Sequence, residues 1–153
     1  MGDSYTQVSI QFIFAVKYRQ ALIDSQWKTE LYQYITGIVQ AKGHKMLCIN
    51  GMPDHVHVFV GMKPHQSISD LVRDMKSNSS KWINERNFLP VRFQWQNGFG
   101  AFSYSASQLH NVVNYILNQE AHHARKTFKE EYFEFLRNFN IAYDEQYALD
   151  DLK

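Results

Sequence analysis

The stretch DHVHVFV, residues 54–60, predicts a β-strand with two different faces. Side chains of a β-strand alternate between the two faces of a sheet, so the three valines share one face of this strand. His55, His57 and Phe59 share the other face. The valine face predicts packing against helices, and the opposite face holds two imidazoles side by side, close enough to reach one cation. The same pair is also compatible with surface or hydrogen-bonded histidines, because a short His-x-His motif is not specific.

The elements around this strand follow from hydrophobic periodicity. Alternation predicts strands over residues 7–18, 44–50, 54–61 and part of 93–105, and Asn50-Gly51 with Pro53 marks a hairpin turn between the second and third. Helical spacing predicts helices over residues 25–42, from the cap Ser67 to before Pro90, and over residues 107–124 and 128–138. The order indicates an α+β fold: a ferredoxin-like or RRM-like β-α-β-β-α-β antiparallel sheet with additional C-terminal helices.

Composition limits the class of protein. The 153 residues are 44% hydrophobic, contain no long apolar run, and predict a single domain over residues 1–153. The lone Cys48 and the lack of a recognisable secretory signal favour a reducing cytoplasm. The formal charge of +1 indicates no particular partner. A nucleic-acid surface would therefore depend on local clustering, for which Arg73, Lys76, Lys81 and Arg92 are the candidates, although the composition slightly favours a solvated helix face.

The helix predicted over residues 107–124 carries the second candidate group. Its core-facing arc is formed by Leu109, Val112, Val113, Ile116 and Leu117. Tyr115 and Gln119 lie off this arc, four residues apart on one flank, so the two side chains are neighbours. Gln119 offers a carbonyl oxygen to a hard cation such as Mg²⁺ or Mn²⁺, and the two imidazoles shift the preference towards Mn²⁺. Tyr115 is a candidate nucleophile on a phosphodiester, and a plain surface tyrosine is the alternative.

His122 and His123 follow one turn later. They could contact phosphate, act as a base, or interact with the end of a helix, where cationic rings are favoured. The helix-end role is the one that the sequence favours.

Three motifs together resemble a known family. DHVHVFV at 54–60, WQNGFGAFS at 95–103 and YILNQEAHH at 115–123 are similar to the single-tyrosine HUH transposases of the insertion-sequence 200/605 type, that is, IS200-like transposases. The family pattern pairs a His-hydrophobic-His motif with a Tyr-x-x-x-Gln helix. Phe99 stands where a tyrosine is expected between two glycines, which affects only an expected DNA contact.

The resemblance implies roles for individual residues. His55, His57 and Gln119 are the implied ligands of a divalent metal, Mg²⁺ or Mn²⁺, and Tyr115 the implied nucleophile that takes the 5′-phosphate of single-stranded DNA. The implied substrate carries hairpins near the element ends. The resemblance also implies a homodimer, and leaves open whether Tyr115 of one subunit serves the histidines of the other.

The sequence is also compatible with two other functions. A domesticated relative that acts on chromosomal repeat hairpins would keep the same residues. A non-catalytic RRM-like module would instead stack bases on Phe12, Phe14 and Phe59 and would need no metal. The basic-aromatic strand signature of RRM-like modules is missing from the sequence, which disfavours the second alternative.

Overall fold

Four strands form one antiparallel sheet in the order β2-β3-β1-β4. The structure, a computed structural model, describes residues 2–144, so residues 1 and 145–153 of the predicted domain lie outside the described part. The strands are β1 (Ser9–Ala15), β2 (Lys45–Met52), β3 (His55–Gly61) and β4 (Gly100–Tyr104). The predicted β-α-β-β-α-β arrangement and the α+β class are confirmed.

Five helices accompany the sheet: α1 (Lys28–Ala41), α2 (Ile68–Arg86), α3 (Leu109–Leu117), α4 (Gln119–His123) and α5 (Phe128–Asn138). Ser67 caps α2 by accepting a hydrogen bond from the Asp70 amide, as its sequence predicts. Thr127 and Glu130 form a reciprocal capping box at the start of α5. Among residues 2–144 no helix has the length and the apolar run that crossing a membrane requires.

One face of the sheet packs against α1 and α2. Val56, Val58 and Val60 of β3 are fully buried there, together with Phe12 and Phe14 of β1. This is the valine face that the alternation predicts. Its burial fixes the register of β3 and turns His55 and His57 to the opposite face.

The second face is covered rather than open. Phe59 packs under α3 against Val112 and Ile116. A separate cluster joins Ile13 of β1 to residues of α5 that include Phe128. Strand β1 is therefore buried on both faces, although its alternation predicted only one buried face.

This covering contradicts the base-stacking alternative. Phe12, Phe14 and Phe59 are at most 2% exposed, so none offers a ring face to a nucleobase.

The predicted hairpin of β2 and β3 is confirmed, and its turn includes Pro53, but the part of the turn predicted at Asn50-Gly51 is wrong. Both residues lie inside β2, opposite His57 and Val56, and the turn falls at Pro53-Asp54. Pairing with β3 overrides the local turn preference of the Asn-Gly pair. Only glycine fits at position 51, because a Cβ there would clash with the His55 carbonyl oxygen.

The helix predicted over residues 107–124 is broken. Asn118 leaves the helical conformation between α3 and α4, with φ −98° and ψ 24°. Leu117, which the periodicity assigned to the core, lies in the last turn of α3 just before this break and is 58% exposed. The Asn50 side chain secures this point by donating hydrogen bonds to the Ile116 and Leu117 carbonyl oxygens at 2.9 and 3.3 Å.

Candidate metal centre and nucleophile

His55 and His57 lie next to each other on β3, beneath α4 and α5, and both are fully buried. Their ring centroids are 5.1 Å apart. Burial of two titratable rings is costly unless each ring nitrogen has a partner. The hydrogen bonds of the two rings therefore show what the site is arranged to hold.

One nitrogen of each ring faces a group that accepts a hydrogen bond. His55 Nδ1 donates to the Asp54 carboxylate at 2.7 Å. His57 Nδ1 donates at 2.6 Å to Gln11 Oε1, because the Gln11 amide nitrogen is already committed to the Tyr104 hydroxyl. These contacts fix the tautomers of the neutral rings, so that each Nε2 presents a lone pair to the centre of the site when its ring is neutral.

A third imidazole is oriented in the same way. His123, at the end of α4, donates from Nδ1 to the Lys126 carbonyl oxygen at 2.8 Å. Its Nε2 faces Gln119 Oε1 and Glu131 Oε1, each at 3.1 Å. The Nδ1 of His123 therefore binds a backbone carbonyl oxygen just past the end of α4. Its Nε2 faces the same groups as His55 and His57.

The Glu131 carboxylate of α5 lies between the three imidazole rings. Its Oε1 is 3.4 Å from His55 Nε2 and 3.2 Å from His57 Nε2. Gln119 places its own Oε1 3.0 Å from His55 Nε2 and donates from Nε2 to Glu131 Oε2 at 3.1 Å. His55, His57 and Glu131 form a cluster with metal-ligand spacing.

The chemistry of these atoms fits a cation. Three imidazole lone pairs, one carboxylate oxygen and one amide oxygen face one another, and none of them brings a proton when the rings are neutral. Such a set needs either an added proton or a positive ion between its members. Nitrogen and oxygen donors from His, Glu and Gln are ligands that divalent metals accept. The residues therefore fit the metal that the family resemblance implies.

The electrostatics agree with this arrangement. Burial opposes a charge on His55, but the Asp54 and Glu131 carboxylates outweigh burial and raise the pKa of the ring to about 9. Burial lowers the pKa of His57. Burial would raise the pKa of Glu131, but the three imidazoles outweigh burial and hold it well below its usual range. Before any cation binds, a proton on His55 takes the bridging position.

Tyr115 lies at the edge of this cluster. Its hydroxyl donates a hydrogen bond to Glu131 Oε2, and its ring stacks on His122 with centroids 4.3 Å apart. Burial, helped by the Glu131 charge, raises the pKa of the phenol. The hydroxyl is therefore neutral near pH 7 and must lose its proton to an acceptor before it can act as a nucleophile.

The structure brings together all four residues that the sequence singled out for the site: His55, His57, Tyr115 and Gln119. It adds Glu131 and His123, which the sequence analysis did not include in the site. A signal for Glu131 was available, because it lies one helical turn from Phe128 and Phe135 on the buried face of α5. A carboxylate on a buried face needs a partner.

The candidate DNA contacts lie elsewhere, on the side of the sheet that α1 and α2 cover. Arg73, Lys76, Arg92 and Phe99 line one cavity of about 510 Å³, and Lys81 lies at a neighbouring one with Arg92. The Lys76 ammonium donates to the Gln96 and Gly98 carbonyl oxygens, which ties α2 to the loop before β4.

Comparisons with known proteins agree on one family. Residues 4–119 match the family described as Transposase IS200 like. A curated relative, the ISDra2 transposase TnpA of Deinococcus radiodurans, is 30% identical over 81 residues, which make up 52% of this chain and 58% of that relative. The chain thus matches little more than half the length of this relative.

Two solved structures share the fold. A Deinococcus radiodurans crystal structure assigned as a transposase has a TM-score of 0.62 and 23% identity, covering 78% of this chain and 96% of that one. The REP-associated tyrosine transposase bound to a REP hairpin has a TM-score of 0.61 and 15% identity, covering 80% and 73%. At these identities the likeness concerns the fold alone.

Proposed function

The chain belongs to the IS200-like transposase family, which confirms the resemblance of its motifs, and on that premise we propose that it cleaves and rejoins single-stranded DNA through a 5′-phosphotyrosine intermediate. One observation carries the proposal: the Tyr115 hydroxyl lies against the same carboxylate that joins the three imidazoles. This contact supports the proposal because it places the candidate nucleophile beside the candidate metal ligands within one chain. The proposed substrate is DNA whose ends are marked by hairpins.

The residues that would hold the metal are His55, His57, Glu131 and Gln119, with His123 as a fifth donor. Three imidazoles among the donors favour Mn²⁺ over Mg²⁺, since Mg²⁺ prefers a shell of oxygens. When bound, the metal would act as a Lewis acid on the scissile phosphate and offset the charge of the leaving 3′-oxygen.

In this proposal the Glu131 carboxylate positions the Tyr115 hydroxyl for attack. Glu131 Oε2 accepts the hydrogen bond of the phenol, so it orients the oxygen and passes the phenol proton on to solvent during attack, since its lowered pKa does not let it keep that proton. The bond from phosphorus to the Tyr115 oxygen forms while the bond to the 3′-oxygen breaks, and the 3′-oxygen takes up a proton from solvent in place of the one that Tyr115 released. A free 3′-hydroxyl can reverse the step, because the phosphotyrosine keeps the energy of the original diester.

The proposed DNA-binding surface is the basic cavity on the other side of the sheet. Arg73, Arg92 and Lys81 supply the charge, and Phe99 is 36% exposed beside them. Charged side chains of this kind bind phosphates without regard to sequence. Lys76 contributes to the positive potential, although its ammonium is held by backbone carbonyl oxygens.

We also propose a homodimer, with attack within one chain. The edge strands of the sheet, β2 and β4, are where a second copy could extend it. The Tyr115 ring lies 6.1 Å from the His57 ring of the same chain, between centroids. Mixing a Tyr115→Phe chain with a His57→Ala chain should therefore leave cleavage absent. Recovery of activity in the mixture would show that sites are shared between subunits.

The deciding experiment is a covalent-adduct assay on a hairpin oligonucleotide with single-stranded arms. The unmodified chain with Mn²⁺ should form an adduct that survives SDS, and Tyr115→Phe should bind the oligonucleotide without forming one. Tyr34→Phe is the matched control, since that ring stacks on Trp82, remote from the metal site. An adduct in Tyr115→Phe, or undiminished cutting of duplex DNA in EDTA, would contradict the proposal.

A further inference from the structure

A second cavity opens directly beside the nucleophile. It measures about 260 Å³ and runs from Tyr115 and Glu131 along the groove between α3 and α5. Its walls include Val112 and the rings of Phe135 and Phe139, which are parallel to within 9°. This volume lies below the roughly 300–1,000 Å³ of pockets for drug-sized ligands. The cavity therefore suits a small flat group.

The rim of this cavity carries two solvent-exposed amides. Asn111 of α3 and Asn138 of α5 line it, and neither side chain has a hydrogen-bond partner among residues 2–144. The third amide, Gln11, is different because both of its ends are taken by Tyr104 and His57. A free amide presents a donor and an acceptor side by side, which is the pattern that reads the edge of a nucleobase.

The charges of the cavity exclude a phosphate as its occupant. Glu131 and Glu134 both line it, and the Glu134 carboxylate is only partly offset by its ion pair with Lys126. Both carboxylates disfavour an anion inside the cavity. The Glu131 oxygens are already engaged by the imidazoles, Tyr115 and Gln119, so Glu134 is the carboxylate that can accept a hydrogen bond from an amino group. Aromatic walls, amides and carboxylates together fit a neutral heterocycle that bears an exocyclic amine.

We propose that this cavity binds an unstacked base next to the scissile phosphate, and that Asn111 and Asn138 align the edge of this base so that Glu134 accepts a hydrogen bond from the exocyclic amine of adenine or cytosine, which thymine lacks. The inference rests on the proposed function, because attack requires the phosphorus to lie roughly 3–3.5 Å from the Tyr115 oxygen. An adjoining nucleotide then has its base within reach of the cavity. Single-stranded nucleic acids are commonly read in this way, by stacking on aromatic rings and by hydrogen bonds to base edges.

The test begins with binding. A hairpin oligonucleotide with single-stranded arms is scanned with one abasic position at a time, and its affinity for the Tyr115→Phe chain is measured in Mn²⁺ by fluorescence anisotropy. One position should weaken binding about tenfold or more when abasic. At that position thymine should bind about tenfold less well than adenine. Asn111→Leu combined with Asn138→Leu should abolish that preference, while Asn114→Leu, an exposed amide that contacts His110, should retain it.

Cleavage mapping in the unmodified chain completes the test. The sensitive position should adjoin the cleaved phosphate. The inference is overturned if no position is sensitive, if the sensitive base lies elsewhere, or if the double variant keeps the preference for adenine. A sensitive position that depends on the two asparagines, without any covalent adduct, would reject the proposed reaction but leave the base site standing.

Discussion

Replacing Glu131 by glutamine tests the account of the centre most directly. The side chain is 3% exposed, its Oε1 lies 3.1–3.4 Å from three imidazole nitrogens, and its Oε2 accepts hydrogen bonds from Tyr115 and Gln119. Glutamine keeps the shape and removes the charge. His55 then loses one of the two carboxylates that stabilise its proton in the metal-free protein.

The expected loss is large for one substitution. Removing one partner of a buried ion pair costs about 3–5 kcal/mol, and the remaining amide recovers part of this by accepting one hydrogen bond. We expect the free energy of unfolding to fall by about 2–4 kcal/mol at pH 7.5, or roughly 2–4 °C in Tm per kcal/mol. Glu134→Gln is the matched control, because it breaks an exposed ion pair with Lys126 on the same helix and should cost at most about 1 kcal/mol.

The measurement is urea unfolding in EDTA. The pKa of Glu131 is lowered in the folded protein, so its contribution is present above its unfolded pKa of about 4.3 and is lost as the pH falls below that value. The difference between the unmodified and Glu131→Gln chains should therefore shrink in acid. A Glu131→Gln chain that is no less stable at pH 7.5 than Glu134→Gln would refute the reasoning.

Three further predictions concern metal binding at His55 and the close approach of β2 to β3 at Gly51. His55, with its pKa raised to about 9, is protonated at pH 7.5, so Mn²⁺ affinity should rise by about tenfold per pH unit from pH 7 to 9 and then level off; calorimetry in two buffers that detects no proton release would contradict this. Asp54→Ala, which removes the hydrogen-bond acceptor of His55 Nδ1, should weaken Mn²⁺ binding by about 10–100-fold, and an unchanged affinity would exclude that role. Gly51→Ala should lower the free energy of unfolding by more than about 2 kcal/mol because its Cβ would meet the β3 backbone, whereas Gly37→Ala, in open space on α1, should raise it by about 0.5–1 kcal/mol; equal effects in thermal melts would contradict the close approach.

The sequence was sufficient where one local pattern sets the structure. The alternation in β3 predicted which face holds His55 and His57, and helical spacing brought Tyr115 next to Gln119. Both patterns depend on the geometry of a single element. They survive even the break at Asn118, because α4 starts at the next residue and still directs Gln119 to the cluster.

Features that depend on contacts between elements were beyond the sequence. Gly51 follows an asparagine and reads as a turn, yet its pairing with Val56 keeps it in β2. No glycine or proline marks the helix break at Asn118, and Leu117 just before it is exposed although its spacing predicted a core position. The position of Glu131 requires knowing how α5 crosses the sheet, which is set by the packing of Phe128 and Leu136 against Ile13.

The distance along the chain between the members of the centre has a consequence during synthesis. His57 and Glu131 are 74 residues apart, which at roughly 5–20 residues per second corresponds to about 4–15 s of translation. During that interval the nascent chain has its histidines but not the carboxylate that gathers them. Tyr115 is made before its acceptor as well. Tyr115 therefore remains without its hydrogen-bond acceptor until α5 has left the ribosome and packed onto the sheet.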